Sequence, residues 1–152
     1  ENRARIVGEV VDAVRREWPM DRPLQIRVSA EEFSPGGNNP EETGRLLDIV
    51  RGKGIDIIHV SSGGVTPDPV KAFPGYQIPF AETVRKAVGL PVIGGGLITE
   101  PEQAEEIVSA ERSDLVFLGR ELLRNPYWPL AAAKKLGADR EWPFQYERAR
   151  IR

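Results

Sequence analysis

The chain has 152 residues, with 21 Lys and Arg against 23 Asp and Glu, a formal charge of −2 and 40% hydrophobic residues. That suffices for one globular unit with its own core, while the near-balance of charge offers no basic surface for nucleic acid or an anionic membrane. No apolar run approaches the ~20 residues of a membrane span. There is no cysteine, which excludes disulfides and thiolate metal sites and makes a reducing cytoplasm the expected setting. The chain opens on Glu1 without a signal-peptide pattern, which reads as a cut start.

Asn2 is a candidate helix cap, and Val7, Val10, Val11 and Val14 recur at helical spacing up to a stop near Trp18-Pro19. A barrel that begins at its first strand would not open on a helix, so this helix is expected to follow a strand outside the chain. Leu24-Gln-Ile-Arg-Val-Ser29 alternates with the period of a strand, Leu24, Ile26 and Val28 on one face and Gln25, Arg27 and Ser29 on the other. After a loop rich in turn residues, Asn39, Pro40 and Glu42 predict a helix start, with Leu46, Leu47 and Val50 as its apolar stripe and Gly52 or Gly54 as its end. Ile55 to Val60 reads as the second strand, followed by Ser61-Ser-Gly-Gly64. The Pro-rich connection from Val65 to Pro79 has the length of a functional lid or wall. Pro79 opens a helix with Phe80, Val84 and Val88 inward and Gly89 as its stop.

The third strand is Leu90 to Ile93, then Gly94-Gly-Gly96, then a helix with a Thr99/Glu102 capping box and Ala104, Ile107 and Val108 as its apolar side. Leu115 to Leu118 reads as a buried fourth strand. Gly119 breaks it, and Arg120 opens a short helix to Arg124, followed by a longer one carrying Trp128, Leu130 and Leu136. The order is one helix and then four strand–helix units, which implies α/β architecture and a parallel sheet with right-handed crossovers. A complete (β/α)8 barrel takes about 250 residues. The chain therefore reads as four parallel strands with helices, the C-terminal half of such a barrel. Residues 1–137 form the half-barrel and residues 138–152 a docking tail, in which Trp142, Phe144 and Tyr146 are too aromatic for a free terminus.

Two consecutive strand–glycine–helix turns, at Gly94–Gly96 and at Gly119-Arg120, point main-chain N–H groups at one place, and paired turns after the last two barrel strands often hold phosphate. Gly119 admits a close ligand and Arg120 adds a fixed guanidinium fork; the competing reading is two ordinary tight turns. Arg27, a charge on the polar face of a strand, needs a partner there: an anionic or electron-rich ligand, or a neighbouring carboxylate. His59, the only histidine, lies inside a strand and is expected to be packed or hydrogen-bonded rather than catalytic. Glu31/Glu32, Glu41/Glu42 and Glu105/Glu106 read as solvated loops and helix starts. Ser61 and Ser62 have no base suited to activate them, so hydrogen bonding to a ligand is their expected part.

Taken together, Arg27-Val-Ser-Ala30, Val60-Ser-Ser-Gly-Gly64, Phe73-Pro-Gly-Tyr-Gln77, Gly119-Arg-Glu-Leu-Leu-Arg124 and Gln145-Tyr-Glu-Arg148 resemble the C-terminal half of Old Yellow Enzyme family flavoproteins. The likeness is to the bacterial, thermostable-type NADPH dehydrogenases or ene-reductases. It implies an FMN-binding (β/α)8 barrel in which NADPH or NADH reduces FMN, and FMN reduces the C=C bond of an α,β-unsaturated carbonyl substrate. By the same resemblance Arg27 falls where the family touches the flavin's pyrimidine edge, and Gly119 and Arg120 where it grips the phosphate. Gly95 and Gly96 would add phosphate donors, Ser61 would lie near the phosphate end, and Arg148 would cross a dimer interface into the partner's active site, implying a homo-oligomer.

The family's tyrosine proton donor and its His/His or His/Asn pair belong to the first half, and no such motif occurs in this chain. No catalytic residue is assigned, and the chain alone is expected to be a poor catalyst. It is expected to need a companion, either the missing half-barrel or another copy of itself. Two alternatives stand beside this reading: a non-catalytic or engineered half-barrel assembly module, and half of another FMN barrel such as a dihydroorotate dehydrogenase relative, which the Gly119-Arg-Glu-Leu-Leu and Gln145-Tyr-Glu-Arg motifs disfavour.

Overall fold

The computed structural model describes residues 2–150; Glu1 and the last two residues of the expected tail, Ile151 and Arg152, lie outside the described residues. In chain order the elements are α1 (Asn2–Glu17), β1 (Gln25–Ser29), α2 (Pro40–Val50), β2 (Ile57–Ser61), α3 (Ile78–Val88), β3 (Val92–Gly95), α4 (Pro101–Ser109), β4 (Leu115–Phe117), α5 (Arg120–Arg124) and α6 (Trp128–Lys135). Short 3-10 helices sit at Arg51–Lys53 and Phe144–Ala149. The strands pair in parallel in the order β1-β2-β3-β4, with α2, α3 and α4 as the crossovers. This is the expected α/β run of four consecutive βα units, half of an eight-stranded barrel. Alternation along the strands sends Ile26, Val28, Ile58, Val60 and Val92 toward the helices, where they meet Leu47 and Val50 of α2 and Ala81, Val84 and Val88 of α3. Each fully buried Val, Leu or Ile among them contributes about 1.5–3 kcal/mol by leaving water. Gly44 lets α2 and α3 approach closely, since a Cβ there would sit 2.7 Å from that of Ala87.

The cap of α2 forms as expected: Oδ1 of Asn39 accepts from the Glu42 N–H at 2.8 Å, with Pro40 in the first turn. The box is not closed, because the Glu42 carboxylate pairs with Arg3 on α1 instead. At α4 the expected Thr99/Glu102 box is absent. Pro101 opens the helix, moving the cap position to Glu100. The Thr99 carbonyl accepts from the indole N–H of Trp128 at 2.6 Å, and Glu102 pairs with Lys135 at 2.8 Å. Asn2, expected as a cap, is the first helical residue of α1. β2 and β3 begin two residues later than the apolar runs suggest, so Gly94 and Gly95 belong to the strand rather than to the turn after it.

Three expected apolar faces are only partly covered. Val10 and Val14 of α1 are exposed together with Ile6, and Val108 of α4 is exposed. The largest departure is the fourth strand. It is an edge strand, and Leu115 is 51% exposed because its side chain lies on the concave face, where no described element packs over it. Glu31 and Glu32 are also more than solvated carboxylates. Glu31 accepts from the Phe33 N–H at 2.8 Å, and Glu32 takes both the main-chain N–H and the amide of Asn38 at 2.9 Å, pinning the loop before α2.

Asp114 joins three elements. It accepts from Nε and Nη2 of Arg85 on α3 at 3.0 and 3.1 Å, and from the Val92 N–H of β3 at 2.8 Å. The Arg85 hydrogen bonds are the largest influence; they outweigh the opposing push of burial and, joined by the Val92 N–H, hold its carboxyl below the ordinary 3.8. The stabilisation is complete above that ordinary value and is lost as pH falls through the lower folded value. Asp114→Asn is therefore expected to lower Tm at pH 7 and to flatten the acid limb of a Tm–pH curve below about pH 4. An acid limb that overlays the wild type would assign that loss to other carboxylates.

Candidate flavin cleft

A cleft of about 480 Å³ opens at the C-terminal ends of β2, β3 and β4, the end at which βα barrels hold their ligands. Arg27, Ser61, Gly96, Gly119 and Arg120 all line it. Gly95 does not: it closes β3 beneath Phe117, where a Cβ would stand 2.6 Å from the ring. Gly96 has φ +98°, and a Cβ there would meet the Tyr76 ring at 2.7 Å. Glycine at these two positions is thus dictated by aromatic neighbours in the wall. Gly119 is different, because a Cβ there would meet nothing within 4 Å and the main chain is open to an approaching group. Leu97, next along the cleft wall, holds a left-handed φ of 53°, a conformation that a branched side chain rarely adopts.

The concave face of the sheet places Arg27 of β1 opposite His59 of β2, and His59 opposite Ile93 of β3. Nη1 of Arg27 lies 2.8 Å from Nε2 of His59, and its guanidinium stands 5.4 Å from the centre of the Phe117 ring. His59 is therefore packed and hydrogen-bonded, as expected of it. Burial first, and the Arg27 charge second, push its pKa below 6.5. No ion pair among the described residues involves Arg27 or Arg120. The carboxylate partner considered for Arg27 is thus not found. Glu121 is matched by Arg124 at 2.6 Å, leaving two unmatched guanidinium groups on one cleft. The hydroxyl of Ser61, at the end of β2, donates to the Val28 carbonyl at 3.0 Å and keeps its acceptor lone pairs.

The profile of the NADH:flavin oxidoreductase / NADH oxidase family matches residues 1–139. The chain belongs to this family. It is 51% identical over 148 residues to the NADPH dehydrogenase of Geobacillus thermodenitrificans, covering 97% of this chain and 43% of that protein. It is 49% identical, with the same coverage, to the NADPH dehydrogenase of another Geobacillus strain. With that of Halalkalibacterium halodurans it shares 46% identity over 149 residues, 98% of this chain and 44% of the relative. The chain spans less than half the length of these relatives.

For a flavin oxidoreductase family member the cleft has further walls that composition and spacing alone did not single out. Gln77 is 4% exposed, and its Nε2 donates to Oη of Tyr76 at 3.0 Å and Oγ of Ser62 at 3.2 Å, leaving Oε1 buried without a partner. Phe117 and Arg124 also line it. Each had a signal: Phe117 is two residues from Leu115 on the same strand face, and Arg124 is one helical turn from Arg120. Arg148 lies exposed on the last 3-10 turn and does not line the cleft. The tail bends back on α6, where Tyr146 and Tyr127 share a 2.8 Å hydroxyl contact, and a larger hollow of about 590 Å³ there is formed by α6 and the tail rather than by strand ends. Among the described residues no helix is long and apolar enough to cross a membrane, and no cluster of three His, Asp or Glu could hold a metal.

Proposed function

We propose that this chain is the FMN-phosphate half of an NAD(P)H-dependent oxidoreductase of the Old Yellow Enzyme type, acting on the activated C=C bond of α,β-unsaturated carbonyl compounds. The observation that carries the reading is the convergence of Arg27, Ser61, Gly96, Gly119 and Arg120 on one cleft at the strands' C-terminal ends. The donor set suits FMN, with a guanidinium and an open glycine for the phosphate at one end and a second guanidinium for an electron-rich ring edge at the other. FMN would supply the two-electron chemistry. The main-chain N–H groups around Gly96 and Gly119, with Arg120, would bind its phosphate; Ser61 would orient the chain next to it; Gly95, beneath Phe117, would shape the wall. Arg27 would favour negative charge on the ring edge. Arg148 would reach a neighbouring copy, and the concave face would be covered by a companion half-barrel or by self-association. The setting we propose is cytoplasmic.

Titrating the chain with FMN is expected to quench flavin fluorescence and to raise Tm, by linkage of binding to folding. A folded chain that does neither, and forms a particle whose size ignores FMN, would instead be a non-catalytic assembly module. Co-expression with a first half-barrel from a relative is expected to restore NADPH-dependent reduction of cyclohexenone. Failure with both halves folded and associated would remove the catalytic reading.

A further inference from the structure

The two turns that line the cleft leave neighbouring strands, Gly96–Thr99 after β3 and Gly119-Arg120 after β4. One side chain ties them together. Trp128 opens α6, a short way along the chain from Arg120, and its indole N–H donates at 2.6 Å to the Thr99 carbonyl of the other turn. The ring packs on the cluster formed by Ile78, Ile98, Ala104 and Ile107. At its other end the same turn is fixed by the Gly96 carbonyl, which accepts from the Gly75 N–H at 2.6 Å. A trans peptide points its carbonyl and its N–H in opposite directions, so that bond turns the Leu97 N–H away from Gly75. Between the two ties, Gly96 and Leu97 both hold a left-handed φ, 98° and 53°. For Leu97 such a conformation persists only where the surroundings over-determine it. Among the described residues the N–H groups of Leu97, Ile98 and Thr99 donate to no main-chain carbonyl.

We propose that Trp128 is a positioning residue: by pinning the Thr99 carbonyl from α6, it sets the spacing between the two turns and keeps the main-chain N–H groups of Leu97 to Thr99 directed at the phosphate in the cleft. The inference rests on the flavin reading above, and Trp128 itself does not line the cleft. Main-chain N–H groups that converge on an anion bind it only while their peptides are held in place, so the tie acts on the ligand through the backbone. Helix α6 reaches the same region through Lys135, which pairs with Glu100 at 3.3 Å and Glu102 at 2.8 Å. Those pairs are exposed and screened by salt, so they contribute little to the spacing. The indole bond is neutral and short, on a half-buried ring. An aromatic ring without the N–H would keep much of the packing and release the carbonyl.

The three tryptophans, Trp18, Trp128 and Trp142, give three indole N–H resonances, and the one missing in Trp128→Phe identifies Trp128. Its hydrogen exchange is expected to be slower than that of Trp18, whose exposed ring donates to the Pro23 carbonyl at 3.2 Å. That readout involves no flavin. Trp128→Phe is expected to weaken FMN binding about tenfold and to leave riboflavin binding within a factor of about two. Benzothienylalanine at position 128, in a chain carrying Trp18→Phe and Trp142→Phe, keeps the bicyclic shape and lacks the N–H. It is expected to reproduce the FMN loss with Tm unchanged from its tryptophan parent. Lys135→Ala is expected to leave FMN affinity within a factor of about two. A Trp128 indole that exchanges as fast as that of Trp18, a benzothienyl chain that binds FMN as tightly as its parent, or losses shared equally by riboflavin would overturn the proposal. A wild-type chain that binds neither flavin would defeat the proposed function and the ligand step of this inference with it, and indole exchange would still decide whether Trp128 clamps the turn.

Discussion

Arg120→Ala is expected to weaken FMN binding by about a hundredfold while leaving riboflavin binding within a factor of about two. Arg120 opens α5 directly after Gly119, on a stretch of main chain that no side chain covers. None of the described ion pairs engages it, so its charge is available to a ligand. A hundredfold loss corresponds to about 2.7 kcal/mol, within the range of roughly 2–5 kcal/mol seen when one member of a hydrogen-bonded charge pair is removed. Riboflavin lacks the phosphate, so the loss should vanish with it. Arg120→Lys keeps the charge but not the planar fork and should fall between the two. The salt dependence of FMN affinity should become shallower in Arg120→Ala, as one charge contact is removed. Fluorescence titration with both ligands decides the matter. Equal losses for FMN and riboflavin would place Arg120 outside the phosphate site and would point to damage of the fold.

Ile58→Ala is expected to cost about 3 kcal/mol of folding stability, whereas Leu115→Ala should cost less than about 1 kcal/mol. Both are large aliphatics in strands of one sheet. Ile58 is 1% exposed, lies between Ile26 and Val92 in register and faces the helices, so its removal leaves a cavity that close-packed neighbours cannot refill. Leu115 points the other way, onto the open concave face, and already meets water. Urea titration of the two variants measures the contrast. Similar losses at both positions would mean that the concave face is covered in solution, and a size measurement on the same samples would then reveal the second copy.

Much of the fold could be read from local pattern. Period-two alternation in Leu24–Ser29 separated the core face from the face bearing Arg27, and the Asn39-Pro40 cap and the Gly89 stop fell where side-chain and main-chain chemistry require them. The misreadings share a cause. Leu115–Leu118, Val10, Val14 and Val108 are apolar, and a local pattern cannot say whether anything packs against them. The Thr99/Glu102 box has the right spacing, but Pro101 and a distant tryptophan decide the geometry instead. Of the cleft residues, the Gly119-Arg120 turn was legible because a glycine that ends an apolar run beside an arginine is a local feature. The contacts of Gln77 with Ser62 and of Phe117 with Gly95 were not, because those partners lie more than a dozen positions away.

From the order of its residues alone this protein is a run of four βα units with two guanidinium groups near the ends of its strands, since alternation, caps and breakers act over a few positions. Only the tertiary structure could say that Arg27 leans on an imidazole rather than a carboxylate, that Gly95 and Gly96 make way for aromatic rings while Gly119 lies open, and that one face of the sheet stands uncovered. Those outcomes depend on which side chains from separate strands meet across the sheet, and strand register is settled by packing of the whole unit.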